Sequence, residues 1–328
     1  MRTYVIDLCG ADRGEEVILQ GVKKAMAQAD FSVVLTGRNE QAVRNAGLDD
    51  RCVRFLPASD EITNLDPPTA VFRGKPEASM TKAFACLREN DDIDGMFSCG
   101  STGALLVGSI FCLGLIEGLK CPVLCSVLPC EDENHLVGLL DCGANMDCTA
   151  KDLRRFAVMG ESFIRSYLSV ESPRVALLNV GTEKGKGNQV LKEAYGEIEA
   201  LGLNFVGNIE GGDVTTGKYD VVICDGYAGN LILKNAEHVG LNAKRLIDEL
   251  IEDCPDRAGA LRALSERLYM TYDFNSRGGA TFLGAKKLIV KGHGAANSET
   301  VASSLLQLHR MVEGNAAANL AESVKRFA

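Results

Sequence analysis

Short apolar runs alternate with amphipathic stretches along most of the 328 residues. Residues 4–8 read as a first strand, and a helix over 15–29 carries Val17, Ile18, Val22 and Ala25 at near-helical spacing. Strands follow at 31–35 and 52–56. Pro57, Pro67, Pro68 and Pro76 then break regular structure and predict a loop over 57–76. A helix over 77–89 leads into a strand at 95–97 and an apolar helix at 105–115. The runs 123–128 and 136–140 flank the acidic stretch 131–134 and predict two strands joined as a hairpin. Further helices are expected at 151–168, 188–201, 231–251 and 257–269, with strands at 175–178, 204–206, 219–224 and 287–290. Residues 272–280 read as a short turn, and a terminal helix runs from Ser298. Such alternation predicts an α/β fold, a three-layer α/β/α sandwich with a largely parallel sheet. The length suits one domain over 1–328, or two lobes around one cleft.

The strand ends share a grammar of glycines with small polar residues. After the apolar run 175–178 comes Asn179-Val180-Gly181-Thr182-Glu183-Lys184-Gly185-Lys186-Gly187-Asn188, then a helix. Glycines let a backbone approach an anion, and free N–H groups with the helix dipole favour negative charge. Ser98-Cys99-Gly100-Ser101-Thr102-Gly103 stands at another strand-to-helix junction. Capping explains one Ser or Thr there, but does not require three beside two glycines. Asp141 and Asn145 follow a strand where open α/β sheets place ligands, although on spacing alone a cap plus a turn accounts for them slightly better. Asp225 to Asn230 repeats the pattern.

Hydrophobic residues make up 46% and charged residues 24%, as in a globular protein with a substantial core. A net charge of -9 argues against nucleic acid as a partner, since no basic excess exists to neutralise phosphates. The N-terminus enters a strand pattern directly and no run approaches transmembrane length, which predicts a cytoplasmic protein. The twelve cysteines are then expected to be reduced thiols. Cys121, Cys125 and Cys130 lack a second ligand pair at zinc spacing, so no metal is expected. The Lys184 loop lacks the G-K-[ST] ending of a Walker A motif. Gly292-His293-Gly294-Ala295-Ala296-Asn297 is half a dinucleotide fingerprint with no βαβ unit after it, so no cofactor is expected.

A catalytic triad has little support, because no G-x-S-x-G elbow is present. Of the four histidines only His293 stands between glycines after a strand. Cys99 and Cys142 sit in strand-end turns, with no base paired to them in sequence. What remains is glycine, amide, hydroxyl and lysine groups at strand ends, suited to an oxyanion.

Seven segments in order resemble the phosphate acyltransferase family of bacterial phospholipid synthesis over nearly the whole chain. They are S-C-G-S-T-G-A (98–104), L-D-C-G-A-N (140–145), L-L-N-V-G-T-E-x-x-K-G-N (177–188), F-V-G-N-I-E (205–210), D-V-V-I-C-D-G-Y-A-G-N (220–230), G-G-A-T-F-L-G (278–284) and G-H-G (292–294). The resemblance implies a homodimer similar in fold to isocitrate dehydrogenase and phosphotransacetylase. It implies transfer of a fatty acyl group from acyl carrier protein to inorganic phosphate. It puts forward Lys186, His293 and Asn230 as catalytic residues. Ser98, Ser101, Thr102, Gly103, Asp141, Asn145, Gly181, Asn188, Asp225 and Gly294 would bind substrate and phosphate. Three segments depart from the family pattern. The opening D-A-M-G-G-D is Asp7-Leu8-Cys9-Gly10-Ala11-Asp12, and Ser101 replaces an asparagine. The segment 252–272 is shorter and more charged than the helices the family uses to touch a membrane, so peripheral membrane contact has weak support. The departures raise two alternatives, a short-chain acyl-phosphate-forming paralogue like the glycine reductase subunit, and a non-catalytic carrier-protein-binding scaffold.

Overall fold

In the computed structural model, which describes residues 1–132, 134–253, 255–272 and 278–327, eleven strands form one sheet. The strands are β1 Arg2–Asp7, β2 Phe31–Gly37, β3 Val53–Pro57, β4 Gly95–Ser98, β5 Val123–Pro129, β6 Leu136–Leu140, β7 Val175–Leu178, β8 Phe205–Ile209, β9 Val221–Ile223, β10 Ala280–Leu283 and β11 Leu288–Lys291. Their order across the sheet is β3-β2-β1-β4-β11-β10-β5-β6-β9-β7-β8. Seven neighbouring pairs are parallel and three, β11–β10, β10–β5 and β5–β6, are antiparallel. Strands such as β7 (Val-Ala-Leu-Leu) are apolar on both faces because helices cover both.

The hairpin expected at 123–140 is the element that organises the sheet. β5 and β6 pair antiparallel from Cys125–Leu140 to Pro129–Leu136. β5 runs in the direction of β1, β4 and β11, so β6, β9, β7 and β8 run the opposite way. The carboxyl ends of the two half-sheets therefore lie on opposite edges. The loop after β7 shares an edge with the turns after β6 and β9, whereas the turns after β4 and β11 lie on the other.

Helices α1 Glu15–Met26, α2 Glu40–Asn45, α3 Ala70–Arg73, α4 Ser79–Glu89, α5 Thr102–Gly108, α6 Ala150–Leu168, α7 Gln189–Glu199, α8 Gly226–Asp253, α9 Ala258–Tyr272, α10 Ser298–Glu313 and α11 Ala316–Arg326 complete the chain. Alternate strand residues feed two cores. Tyr4 and Ile6 pack with α1, α6, α10 and α11, while Val5, Val137 and Leu139 face α4, α5 and α8. This gives the three-layer α/β/α sandwich. In α1, Ile18, Leu19, Val22 and Ala25 are buried, with Glu15 and Glu16 in the first turn and Lys23 and Lys24 in the last, matching the helix dipole. Seven of the eleven described cysteines are buried and all eleven are unpaired.

Several boundaries differ from the sequence expectation. The turn expected at 272–280 ends in strand β10, whose four residues are too few to show a period; residues 273–277 lie outside the described residues. The proline-rich loop contains the single turn α3. The apolar helix at 105–115 begins earlier, at Thr102, and widens into a π-helical turn over Ser109–Leu113. The terminal helix is divided at Gly314-Asn315, where Asn315 takes φ 52°. Helix α8 starts at Gly226, five residues early, so Tyr227 to Asn230 are its opening turn. Among the described residues no helix is long and apolar enough to cross a membrane.

Candidate functional site

A cavity of about 240 Å³ opens over β5, between the N-terminus of α5 and the first turns of α8. Leu124, Ser126 and Val127 form its floor, and Thr102 lies on the α5 side. Asn230, Leu233, Lys234 and Glu237 come from α8. Cys142 and Gly143 close it near the β6 carboxyl end, while Gly278, Gly279, Ala280, Lys291 and His293 close it on the side of β10 and β11. The antiparallel centre of the sheet makes this possible, because α8 crosses β5 and β6 from one sheet edge towards the other.

Lys291 is the central group. Its Nζ donates to the Gly292 carbonyl at 2.9 Å, and among the described residues it has no carboxylate within ion-pairing distance. Burial, with Lys234 adding repulsion, holds its ammonium below the usual lysine range. His293 is lowered as well, first by burial and then by Lys234 and Lys291. The Ala295 N–H donates to His293 Nδ1 at 3.1 Å, so the neutral ring keeps its proton on Nε2. A partly desolvated cation without a carboxylate partner among the described residues, beside a second lysine and a neutral imidazole donor, is chemically suited to an anion.

Of the residues expected at the site, Thr102, Asn230 and His293 line this cavity. Asn230 Nδ2 donates to the Cys142 carbonyl at 3.2 Å and holds that wall. Asp141 is fully buried and serves the framework. Oδ1 accepts from Leu124, Gly143 and Ala144 N–H, and Oδ2 from the N–H and Nδ2 of Asn145. Asn145 also donates to the Pro122 carbonyl. The close fit extends to Gly229, where a Cβ would lie 1.9 Å from the Asp141 carbonyl oxygen.

Ser98 is committed too. Its hydroxyl donates to Asp7 Oδ2 at 2.7 Å and accepts from Gly100 N–H. This brace joins the turns after β1 and β4, which meet at Gly10 (φ 89°), where a Cβ would stand 2.5 Å from Gly100 Cα. Burial, with Glu15 adding, pushes the Asp7 carboxyl from 3.8 up to about 6, against the donors Ser98 and Cys9. A folded-state value above the unfolded one favours the fold while Asp7 is protonated. That contribution is complete below about pH 4 and is lost as pH rises through 6, a change on the order of 3 kcal/mol. Asp7→Asn is expected to flatten the dependence of the urea midpoint on pH between 4 and 7; an unchanged slope would exclude Asp7 as its source.

Ser101 begins α5 without a side-chain cap bond, and Gly103 packs under Pro68. Asp225 accepts from Ala228 N–H at the start of α8, and Gly294 receives Asp12 N–H on its carbonyl. Gly181, Lys186 and Asn188 belong to the loop after β7, next to β9. Asn188 caps α7 through Leu191 N–H, and half-exposed Lys186 lies 3.5 Å from Glu183. The loop is held by Asn179 Nδ2 on the Lys186 carbonyl and Asn208 Nδ2 on the Glu183 carbonyl. Cys99 and Cys142 are each pushed up to about 12 by burial, which leaves them protonated at neutral pH. Asn297 is the N-cap of α10, with Thr300 completing a capping box.

A family model described as "Fatty acid synthesis protein" matches residues 3–319. A phosphate acyltransferase from Thermoanaerobacter pseudethanolicus is 34% identical over 324 residues, covering 98% of this chain and 96% of the relative. One from Pediococcus pentosaceus is 37% identical over 325 residues, covering 97% and 93%. The chain belongs to the phosphate acyltransferase family. Members transfer an acyl group to phosphate, and the anion-seeking cavity is read in that light. In fold it is similar to a phosphotransacetylase from Streptococcus pyogenes, with TM-score 0.63 at 16% identity, covering 95% of this chain and 94% of that one. It is likewise similar to a branched-chain phosphotransacylase from Enterococcus faecalis, with TM-score 0.59 at 16% identity, covering 95% and 99%.

Lys234, Glu237 and Lys291 were not singled out by sequence reasoning. Asn230, Lys234 and Glu237 stand at i, i+4 and i+7 on one helix face, a signal that also fits an exposed ion pair. Lys291, immediately before Gly292-His293-Gly294, was the better clue.

Proposed function

We propose that acyl carrier protein is the acyl donor and that inorganic phosphate binds in the trench over β5. The observation that supports the phosphate site is Lys291, a partly buried ammonium with only a carbonyl for a partner among the described residues. Monohydrogen phosphate is anionic already, so the site must aim an oxygen rather than generate a nucleophile. That oxygen attacks the thioester carbonyl carbon. A C–O bond forms, the C–S bond breaks, and the proton phosphate brought ends on the released thiol. Nε2–H of His293 is the donor for the carbonyl oxygen as it becomes negative. Acyl phosphate leaves with the phosphate's remaining charge.

Lys186 is kept in this reading as a further cation for phosphate, on the loop neighbouring the Asp225–Asn230 turn. Its contact with Glu183 is loose and both side chains are about half exposed or more, so little opposes its turning towards a substrate. Lys186→Ala is expected to lower phosphate affinity and rate with the fold intact; an unchanged phosphate dependence takes it out of the site.

A homodimer is part of the same proposal. Helices α8 and α9 pack on each other as a hairpin, and Val239, Leu241, Leu246, Leu250 and Leu264 remain exposed, an apolar surface suited to a second copy. The function test is a panel of acetyl to palmitoyl thioesters on acyl carrier protein and coenzyme A, with hydroxylamine trapping acyl phosphate. Product from coenzyme A thioesters alone would exclude the carrier protein as donor, and product from acetyl donors alone would favour the short-chain alternative.

A further inference from the structure

The charged groups lining the trench are two lysines and one carboxylate. Glu237 is the sole carboxylate among its described lining residues, beside Lys234, Lys291 and His293. Its side chain is 14% exposed, and Oε2 accepts from the Lys234 ammonium at 2.8 Å. Oε1 has no hydrogen-bond partner among the described residues and is not fully buried, and Glu237 lines the cavity. A carboxylate facing an anion site is unfavourable unless the anion brings a proton to the contact.

We infer that Glu237 selects phosphate over sulfate by accepting, on Oε1, the hydrogen of monohydrogen phosphate's P–OH group. The inference rests on the trench being the phosphate site. The two anions are alike in shape and size, but near neutral pH phosphate retains a proton and sulfate has none. Sulfate would set a bare oxygen against the carboxylate and be repelled, a discrimination made by an unfavourable contact. The same hydrogen bond orients the nucleophile. Its protonated oxygen turns to α8, and the unprotonated oxygens are left for Lys291 and the incoming carbonyl carbon. A simpler role, in which Glu237 only holds Lys234 in place, makes a different prediction.

The test measures sulfate inhibition against phosphate KM in initial-rate assays on the full-length protein, with Glu237→Gln and Glu237→Asp beside the wild type. In Glu237→Gln an amide donor faces the anion, so the ratio of sulfate Ki to phosphate KM is expected to fall about ten-fold or more. Glu237→Asp is expected to restore part of the selectivity. If phosphate and sulfate weaken together and the ratio stays put, Glu237 acts only through Lys234 and the inference is overturned. Calorimetric titration of the wild type with each anion needs no variant: equal affinity for sulfate and phosphate overturns it as well. Lys291→Met separates the two levels. Unchanged phosphate KM there removes the trench reading itself, whereas a raised KM with an unchanged Glu237→Gln ratio removes the selectivity alone.

Discussion

Lys291→Met is expected to lower kcat/KM for phosphate about 10²- to 10³-fold, the usual cost of removing one preorganised donor from a site of developing charge. Methionine matches the lysine stem out to Cε, with sulfur in place of Cδ, and lacks the ammonium. Because that ammonium has no carboxylate partner among the described residues, its loss should leave the melting temperature unchanged or raise it. Lower activity with equal or greater stability is the pattern of a charge retained for function. Rates of hydroxamate formation at varied phosphate, with thermal denaturation in parallel, check both halves. A phosphate KM within about two-fold of wild type would place the anion elsewhere.

The second large effect falls on stability. Asp141→Ala would leave without acceptors the five donors that converge on the carboxylate, four backbone N–H groups and Asn145 Nδ2. Buried donors left unmade cost roughly 1–3 kcal/mol each without full additivity, so a loss of about 4 kcal/mol is expected. Asp141→Asn should cost about half as much, since its amide retains one oxygen acceptor but sets its NH₂ among donors. Urea titration with an unchanged slope would measure both. Activity should fall with stability in the alanine variant, because Cys142 and Gly143 form a wall of the trench. A loss below 1 kcal/mol would contradict the framework role assigned to Asp141.

Element order was legible wherever the apolar pattern was long. The strand over 175–178, the helix over 151–168 and the hairpin at 123–140 lie where the apolar pattern puts them, because strands buried on both faces are continuous apolar runs and a half-buried helix keeps its period. β10 was hidden because four residues beside Gly278 and Gly279 carry no period. The early start of α8 was hidden by two glycines, Gly226 and Gly229, that resemble a turn but serve close packing on Asn145 and Asp141. Of the residues that line the cavity, Thr102, Asn230 and His293 were singled out from their motifs. Ser98 and Asp141 carry the same kinds of group, yet their polar atoms face inward, Ser98 to Asp7 and Asp141 to the turn over Gly143–Asn145. Residue type alone does not distinguish an inward carboxylate from one offered to a ligand.

The linear pattern determined the α/β class, the alternation of elements and the glycine-rich turns, since these depend on local periodicity and on φ, ψ freedom. Seven ordered motifs sufficed to point to the family. Tertiary structure decided the rest. A single antiparallel hairpin reverses half of the sheet, so loops with the same grammar fall on opposite edges. It also brings α8 across β5, setting Lys234 and Glu237 opposite Lys291 and His293 although some fifty residues separate them. Which cation lacks a partner is a property of distances between elements remote in sequence. That is why Lys291 became visible only when the sheet was assembled.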